Sequence, residues 1–219
     1  MTQKALPPES GSSAETTRAN LIDAGFELFG AEGYAATSTR RLAERAGTNV
    51  ASIAYHFGGK AGLHEACARA AAERIAQAVG VPRDHEGLSP EAAVACLERT
   101  LRGLVGMLVR GDAARSMVGF LVREMNASET TAQLLHDHFV APKHRELCQL
   151  WSIATGQPAG SDEVKLSVFA MVGQALYFRV GQPVVRRIMG WEAVGDVEAD
   201  LIAEALVAQL RSAIERSRR

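Results

Sequence analysis

Apolar residues recur at the helical period of about 3.6 from Thr17 to Arg216, and the alternation that marks strands is nearly absent. A chain patterned this way buries its apolar stripes helix against helix, so its fold class is all-α. Start and stop signals divide the pattern. The spacing predicts a first helix over Thr17–Ala31, with Leu21, Gly25, Leu28 and Phe29 on one stripe and Gly30 and Gly33 bracketing its end. Thr37, Ser38 and Thr39 open a second, short helix through Arg45; Ala46-Gly47-Thr48 is a tight turn; Asn49 caps a third short helix ending near Tyr55. Gly58 and Gly59 break the chain before a fourth helix from Lys60 to about Val79. After a loop, Ser89-Pro90-Glu91 supplies a cap, a first-position proline and a first-turn acid, and a helix to about Val109 follows. Further helices are expected over Asp112–Met125, Ser128–Val140, Pro142–Ala154, Asp162–Val180, Pro183–Gly190 and Asp196–Arg216. The expected organisation is a disordered tail over 1–15, a three-helix head over 16–62, and a larger helical domain over 63–219.

Composition narrows the function classes. Aromatic residues are 5% of the chain and alanine is plentiful, which suits helices better than a β-sandwich. The formal net charge is −1, so nucleic-acid binding cannot be argued from bulk basicity and must rest on local charge. No apolar run reaches the roughly 18–20 residues of a membrane span, and the first fifteen residues lack a signal-peptide core. A cytoplasmic protein with no membrane partner is expected. Cys67, Cys96 and Cys148 lie far apart without C-x-x-C spacing, which reads as reduced thiols.

Two short helices joined by a glycine turn form a helix-turn-helix arrangement. Ala43 is small where the helices cross, and Leu42, Ala46 and Ile53 face inward. That pattern alone also occurs in ordinary helical hairpins. The next segment is more specific: Ile53-Ala54-Tyr55-His56-Phe57-Gly58-Gly59-Lys60-Ala61-Gly62-Leu63 resembles the end of the recognition helix in the TetR family. The stretch from Gly33 to Gly47, G-Y-x-x-T-S-T-R-R-L-A-E-R-A-G, matches the same family in register, so the resemblance spans about residues 17–65. Ala51 and Ala54 depart from the glycine and tyrosine common there, and Thr48 is polar where an apolar residue is usual. The resemblance implies a DNA-binding head on a body that dimerises and holds an inducer.

The side chains agree with that chemistry. Tyr55, His56 and Lys60 can each donate to a phosphate oxygen, and Thr37, Ser38 and Thr39 put hydroxyls and N–H groups at a helix start. Across residues 36–64, Arg40, Arg41, Arg45 and Lys60 face Glu44 alone, a local charge of +3. Base reading falls to Asn49, Val50, Ala51 and Ser52, with no arginine for guanine. Asn49 reads an adenine edge or is spent as the helix cap. Tyr55 and Phe57 are core aromatics on the plainer reading, the more so Phe57, with His56 a solvated histidine and Arg40 and Arg41 ordinary surface charges.

In the body, Leu166–Phe178 is apolar nearly all round, and the last helix carries a broad face with Leu201, Ile202, Ala205, Leu206, Leu210, Ala213 and Ile214. A homodimer on a palindromic operator covers both, or they are internal core. The segments Val122–Ser128, Phe139–Pro142 and Gln174–Val180 resemble the body of the CerR/CecR-type subgroup, which implies a response to small, toxic compounds. Met107, Met117, Phe120, Met125, Phe139, Trp151, Met171 and Phe178 are candidate walls of an inducer cavity, with Arg123, His138 or Arg179 as polar anchors, or are plain core. His144 and Cys148 share a helix face as a core pair or, less economically, as metal ligands; no metal or cofactor is expected. An enzyme is not expected, because no phosphate loop, nucleophile elbow, H-E-x-x-H or dinucleotide fingerprint occurs. A helical adaptor whose head binds protein is the other class, and the phosphate donors argue against it. The reading is a ligand-responsive DNA-binding regulator, a repressor released by an inducer.

Overall fold

A computed structural model describes residues 10–110, 112–127, 133 and 136–218. Among them are α1 (Ser10–Glu32), α2 (Thr39–Arg45), α3 (Val50–Phe57), α4 (Lys60–Val79), α5 (Pro90–Val109), α6 (Asp112–Ala127), a π-helical turn (His136–Val140), α7 (Ala141–Thr155), α8 (Asp162–Val180), α9 (Gln182–Met189) and α10 (Asp196–Ser217). No strand occurs among the described residues, and none of their helices is long and apolar enough to cross a membrane.

Side-chain caps explain where four of the helices begin. Ser38 Oγ accepts from Arg41 N at 3.3 Å, Asn49 Oδ1 from Ser52 N at 3.0 Å, Ser89 Oγ from Ala92 N at 3.2 Å and Ser161 Oγ from Val164 N at 3.3 Å. Each satisfies one of the orphan donors of a first helical turn. One expectation is corrected and another falls largely outside the described residues. Residues 10–15 belong to α1 and not to a disordered tail, the rest of which, 1–9, lies outside the described residues; Ala14 is their one apolar side chain and Ser13–Glu15 are exposed, so no apolar stripe betrays them. Most of the helix expected over Ser128–Val140 lies outside the described residues, and its described end, His136–Val140, is a π-helical turn.

The core has two parts. In the body, α5 lies among α7, α8 and α10, with Leu97, Leu101 and Val105 packed in one cluster with Leu150, Trp151, Val168, Ile202 and Leu206. The second cluster joins Leu21, Phe26 and Phe29 of α1 to Leu42, Ile53 and Leu63, and it also takes in Met117 and Phe120 from α6. The head core is therefore completed by a body helix. Phe120 meets the Phe26 ring edge-on at 5.6 Å, and a Cβ on Gly30 would stand 2.8 Å from the Phe120 backbone nitrogen. Only glycine lets α1 approach α6 that closely.

Buried charge pins the far end of α4. Lys143 Nζ donates to the carbonyls of Val79 and Gly80 at 2.8 and 3.2 Å and pairs with Glu146 at 2.6 Å. His85 Nε2 lies 2.8 Å from the other Glu146 oxygen, and all three side chains are buried. Removing one partner from such a set strands the others, so it fixes the α4–α5 loop onto α7.

Candidate nucleic-acid interface

The head presents α3 by burying one side of it. Ile53 is 1% exposed, an anchor worth about 1.5–3 kcal/mol of apolar burial. The turn before it is made by Gly47 at φ 65°, with Thr48 N donating to Ala43 O at 2.9 Å. Leu42, Ala43 and Ala46 are buried at the helix crossing. At the other end, Gly58 caps α3 in the left-handed region at φ 73°, Gly59 sits at φ 136°, and a Cβ on Gly62 would run into the Phe57 carbonyl oxygen. The F-G-G-K-A-G run is thus a backbone requirement of the α3–α4 corner.

On the outward side of α3, Val50 is 46% and Tyr55 83% exposed, with Asn49, Ala51 and Ala54 also exposed and Ser52 and His56 half-buried. Asn49 Oδ1 accepts from both Ser52 N (3.0 Å) and Ser52 Oγ (3.2 Å). The cap therefore occupies the oxygen that a bidentate adenine contact needs, and the amide NH2 is the group left to reach a base. Phe57 is half-buried with the Arg18 guanidinium 5.6 Å over its ring, in keeping with a packing role.

The phosphate candidates separate into two groups. Ser38 and Arg40 are exposed and Thr39 half-buried at the start of α2. Thr37 is turned inward at 1% exposure, and its hydroxyl is spent on the carbonyls of Gly33 (2.8 Å) and Leu28 (3.3 Å). Its side chain closes the α1–α2 loop. Lys60 is also drawn into the fold: Nζ donates to the carbonyls of Tyr34 (2.7 Å) and Thr37 (2.8 Å) and lies 4.2 Å over the Tyr34 ring. The arginines have carboxylate partners, Glu44 for Arg40 at 2.9 Å, Glu32 for Arg41, and Glu27 for Arg45 at 2.6 Å. Glu44 and Glu27 hold the Arg40 and Arg45 guanidiniums above their ordinary range through hydrogen bonds. Counting Glu27 and Glu32, which are absent from the 36–64 window, the local excess of positive charge shrinks.

Sequence reasoning missed the joint beneath this surface. His64 of α4 is buried among Phe29, Tyr34 and Phe120, at ring distances of 4.8, 4.9 and 5.4 Å, with Nε2 3.1 Å from Glu124 of α6. Its only sequence signal was a histidine on the inward stripe of α4.

Most of the candidate wall and anchor residues of the body whose side chains are described divide between two clefts and the core. Phe120 belongs to the head-side cluster, Met107 touches both clusters, and Phe139 is buried in the π-helical turn. Met171 and Trp151 line a cleft of about 380 Å³ between α8 and α10, Phe178 packs on the body core, and Arg123 and Arg179 line a separate cleft. The side chain of His138 lies outside the described residues. His144 Nδ1 and Cys148 Sγ meet at 3.6 Å; burial lowers the histidine pKa and raises that of the thiol. No group of three or more candidate metal ligands comes together among the described residues.

Comparison with known proteins agrees with this geometry. Residues 21–67 match the model described as bacterial regulatory proteins, tetR family, and residues 93–215 match that of the HTH-type transcriptional dual regulator CecR, C-terminal domain. CecR of Shigella flexneri is 29% identical over 210 residues, covering 93% of each chain. A TetR-like transcriptional regulator from Rhodococcus sp. RHA1 superposes with a TM-score of 0.62 at 22% identity, covering 95% of this chain and 99% of that one. AibR in complex with isovaleryl coenzyme A and operator DNA superposes at 0.60 with 17% identity, covering 89% and 97%. The chain belongs to the TetR family of bacterial regulatory proteins, as a DNA-binding transcriptional regulator with a CecR-type C-terminal domain.

Proposed function

We propose that the chain is a dimeric repressor that a small-molecule inducer releases from a palindromic operator. The observation that carries this reading is the two-sided character of α3, anchored by Ile53 and presenting Val50, Ala51 and Tyr55 outward. In the major groove, Val50 and Ala51 contact thymine methyls, while Ser52 and the amide of Asn49 reach base edges. Ser38, Thr39, Arg40, Tyr55 and His56 take phosphates, with the remaining ammonium proton of Lys60 beside them. With no arginine on α3, DNA shape and apolar contacts set the specificity.

The body supports the dimer. Leu166, Phe169, Tyr177 and Val180 of α8 are 67%, 59%, 58% and 62% exposed, and Leu201 of α10 is 56% exposed beside them in sequence pattern. The same face of a second copy covers these side chains and sets two heads on one DNA face. The inducer then acts by binding one spacing of the heads better than the other. AibR, with an acyl coenzyme A and operator DNA in one crystal, supports a ligand response on this fold.

The test is a gel shift on DNA flanking the chain's own gene, with wild type and Tyr55→Phe. Competitor-resistant binding, weakened by about two- to tenfold without the phenol hydroxyl, supports the reading. Failure to select any binding sequence from random DNA sinks it. A monomer by light scattering at micromolar concentration removes the dimer.

A further inference from the structure

Three guanidiniums line one cleft between α6 and the corner where α8 passes into α9. Arg115 and Arg123 come from α6 and Arg179 from the last turn of α8, and the space between them is about 550 Å³. That volume lies in the range of pockets for small organic ligands. Arg179 is 6% and Gln182 8% exposed, so the polar part of the wall is built into the fold. Gln182 Oε1 accepts from Arg115 Nη2 at 3.4 Å, which helps to aim that guanidinium. Among the described residues the rest of the lining is apolar, with Val118, Val122, Val180 and Pro183, and includes no carboxylate. Guanidinium forks match carboxylate and phosphate oxygens in pairs, and an apolar wall beside them selects a hydrocarbon body.

We propose that this cleft binds an amphipathic organic anion, its charged head held by Arg115, Arg123 and Arg179 and its apolar part by the valines and Pro183. This rests on the reading of the chain as a ligand-responsive regulator and supplies the chemical class of the inducer. The cleft also has a route to the DNA-binding head. Gly30 of α1 lines it, and Arg123 donates to the carbonyls of Ala31 (3.3 Å) and Glu32 (3.1 Å) at the end of α1. A ligand carrying full negative charge competes for Arg123 better than neutral carbonyls do, so occupancy draws Arg123 off α1 and loosens the head from α6.

Calorimetry on the full chain with octanoate, octyl phosphate and 4-phenylbutyrate, each against its uncharged amide or alcohol, tests the assignment. At least one anion binds about tenfold or more tighter than its neutral counterpart, and Arg115→Gln and Arg179→Gln reduce that preference to about twofold or less. Arg115 is exposed, so its variant remains informative if the buried Arg179 variant fails to fold. The better acid shows whether the head is a carboxylate or a phosphate. Equal affinity for acid and neutral partner, no saturable binding by any of the three, or a preference unchanged in Arg115→Gln overturns the proposal. A neutral compound that releases operator DNA while all three anions fail also overturns it, and leaves the ligand-responsive reading standing. Anion binding that Arg115→Gln abolishes, with DNA affinity unaffected, supports the cleft and takes down the inducer reading instead.

Discussion

The ammonium of Lys60 sits 4.2 Å from the centre of the Tyr34 ring and 2.7 Å from that residue's own carbonyl oxygen, so one side chain clamps the α1–α2 loop to the start of α4. A residue expected to face phosphate is therefore also a strut of the head. Lys60→Ala removes two charge-assisted hydrogen bonds and a cation–π contact from a half-buried site, at about 1–2 kcal/mol. The melting temperature should fall by about 2–8 °C together with operator affinity. Lost DNA affinity at an unchanged melting temperature would assign Lys60 to phosphate contact alone.

The Arg40–Glu44 pair is exposed on both sides and adds little to stability. Its effect is on binding, because Glu44 holds the guanidinium that a phosphate would otherwise take. Glu44→Gln should strengthen DNA binding by about two- to fivefold and steepen the salt dependence by about one counterion. Stability should change by no more than about 0.5 kcal/mol. Anisotropy titrations at several salt concentrations read both quantities, and an unchanged slope would place Arg40 away from the DNA.

Gly30→Ala tests the approach of α1 to α6. The added methyl would press on the backbone at Gly119 and Phe120, at 2.8–3.3 Å, and backbone cannot swing aside as a side chain can. We expect a loss of about 1–3 kcal/mol in urea unfolding. A neutral substitution would show that the two helices part freely.

Burial pushes the Cys67 thiol from its ordinary value of 9.0 up to about 12. The thiol therefore keeps its proton in the folded chain at pH values where the unfolded chain has lost it. This stabilisation is fully present below about pH 9 and is lost as pH rises toward 12. Unfolding free energy between these limits should fall more steeply for the wild type than for Cys67→Ala. Parallel curves would mean that the thiol ionises in place.

Much of this was legible because the chain marks its helix ends with local chemistry. The starts of α4, α5, α8 and α10 and the end of α2 lie where the caps and breaks put them, and Ile53, Leu42 and Ala46 are buried as the period requires. What failed was nonlocal or unmarked. The early start of α1 carries no apolar stripe, and the inward turn of Thr37 depends on Leu28 and Gly33 across a loop. Lys60 finds its partners 23 and 26 residues upstream, and Arg123 finds its carbonyls 91 and 92 residues away. No periodicity reports such distances. For the candidate inducer walls the obstacle is different: an apolar residue at helical spacing looks the same from sequence whether it faces a cavity or a core.

The bond of Lys143 to the last carbonyls of α4 makes that helix a lever with a fixed fulcrum. Twenty residues separate the fulcrum from the α3 corner, an arm of about 30 Å at the helical rise. A tilt of only about 5° then carries the corner through about 2.6 Å, about three-quarters of a base-pair rise, and in the proposed dimer the two displacements add. In the proposed dimer, leverage of this kind would let a movement too small to disturb the body core put both reading helices out of step with the DNA turn.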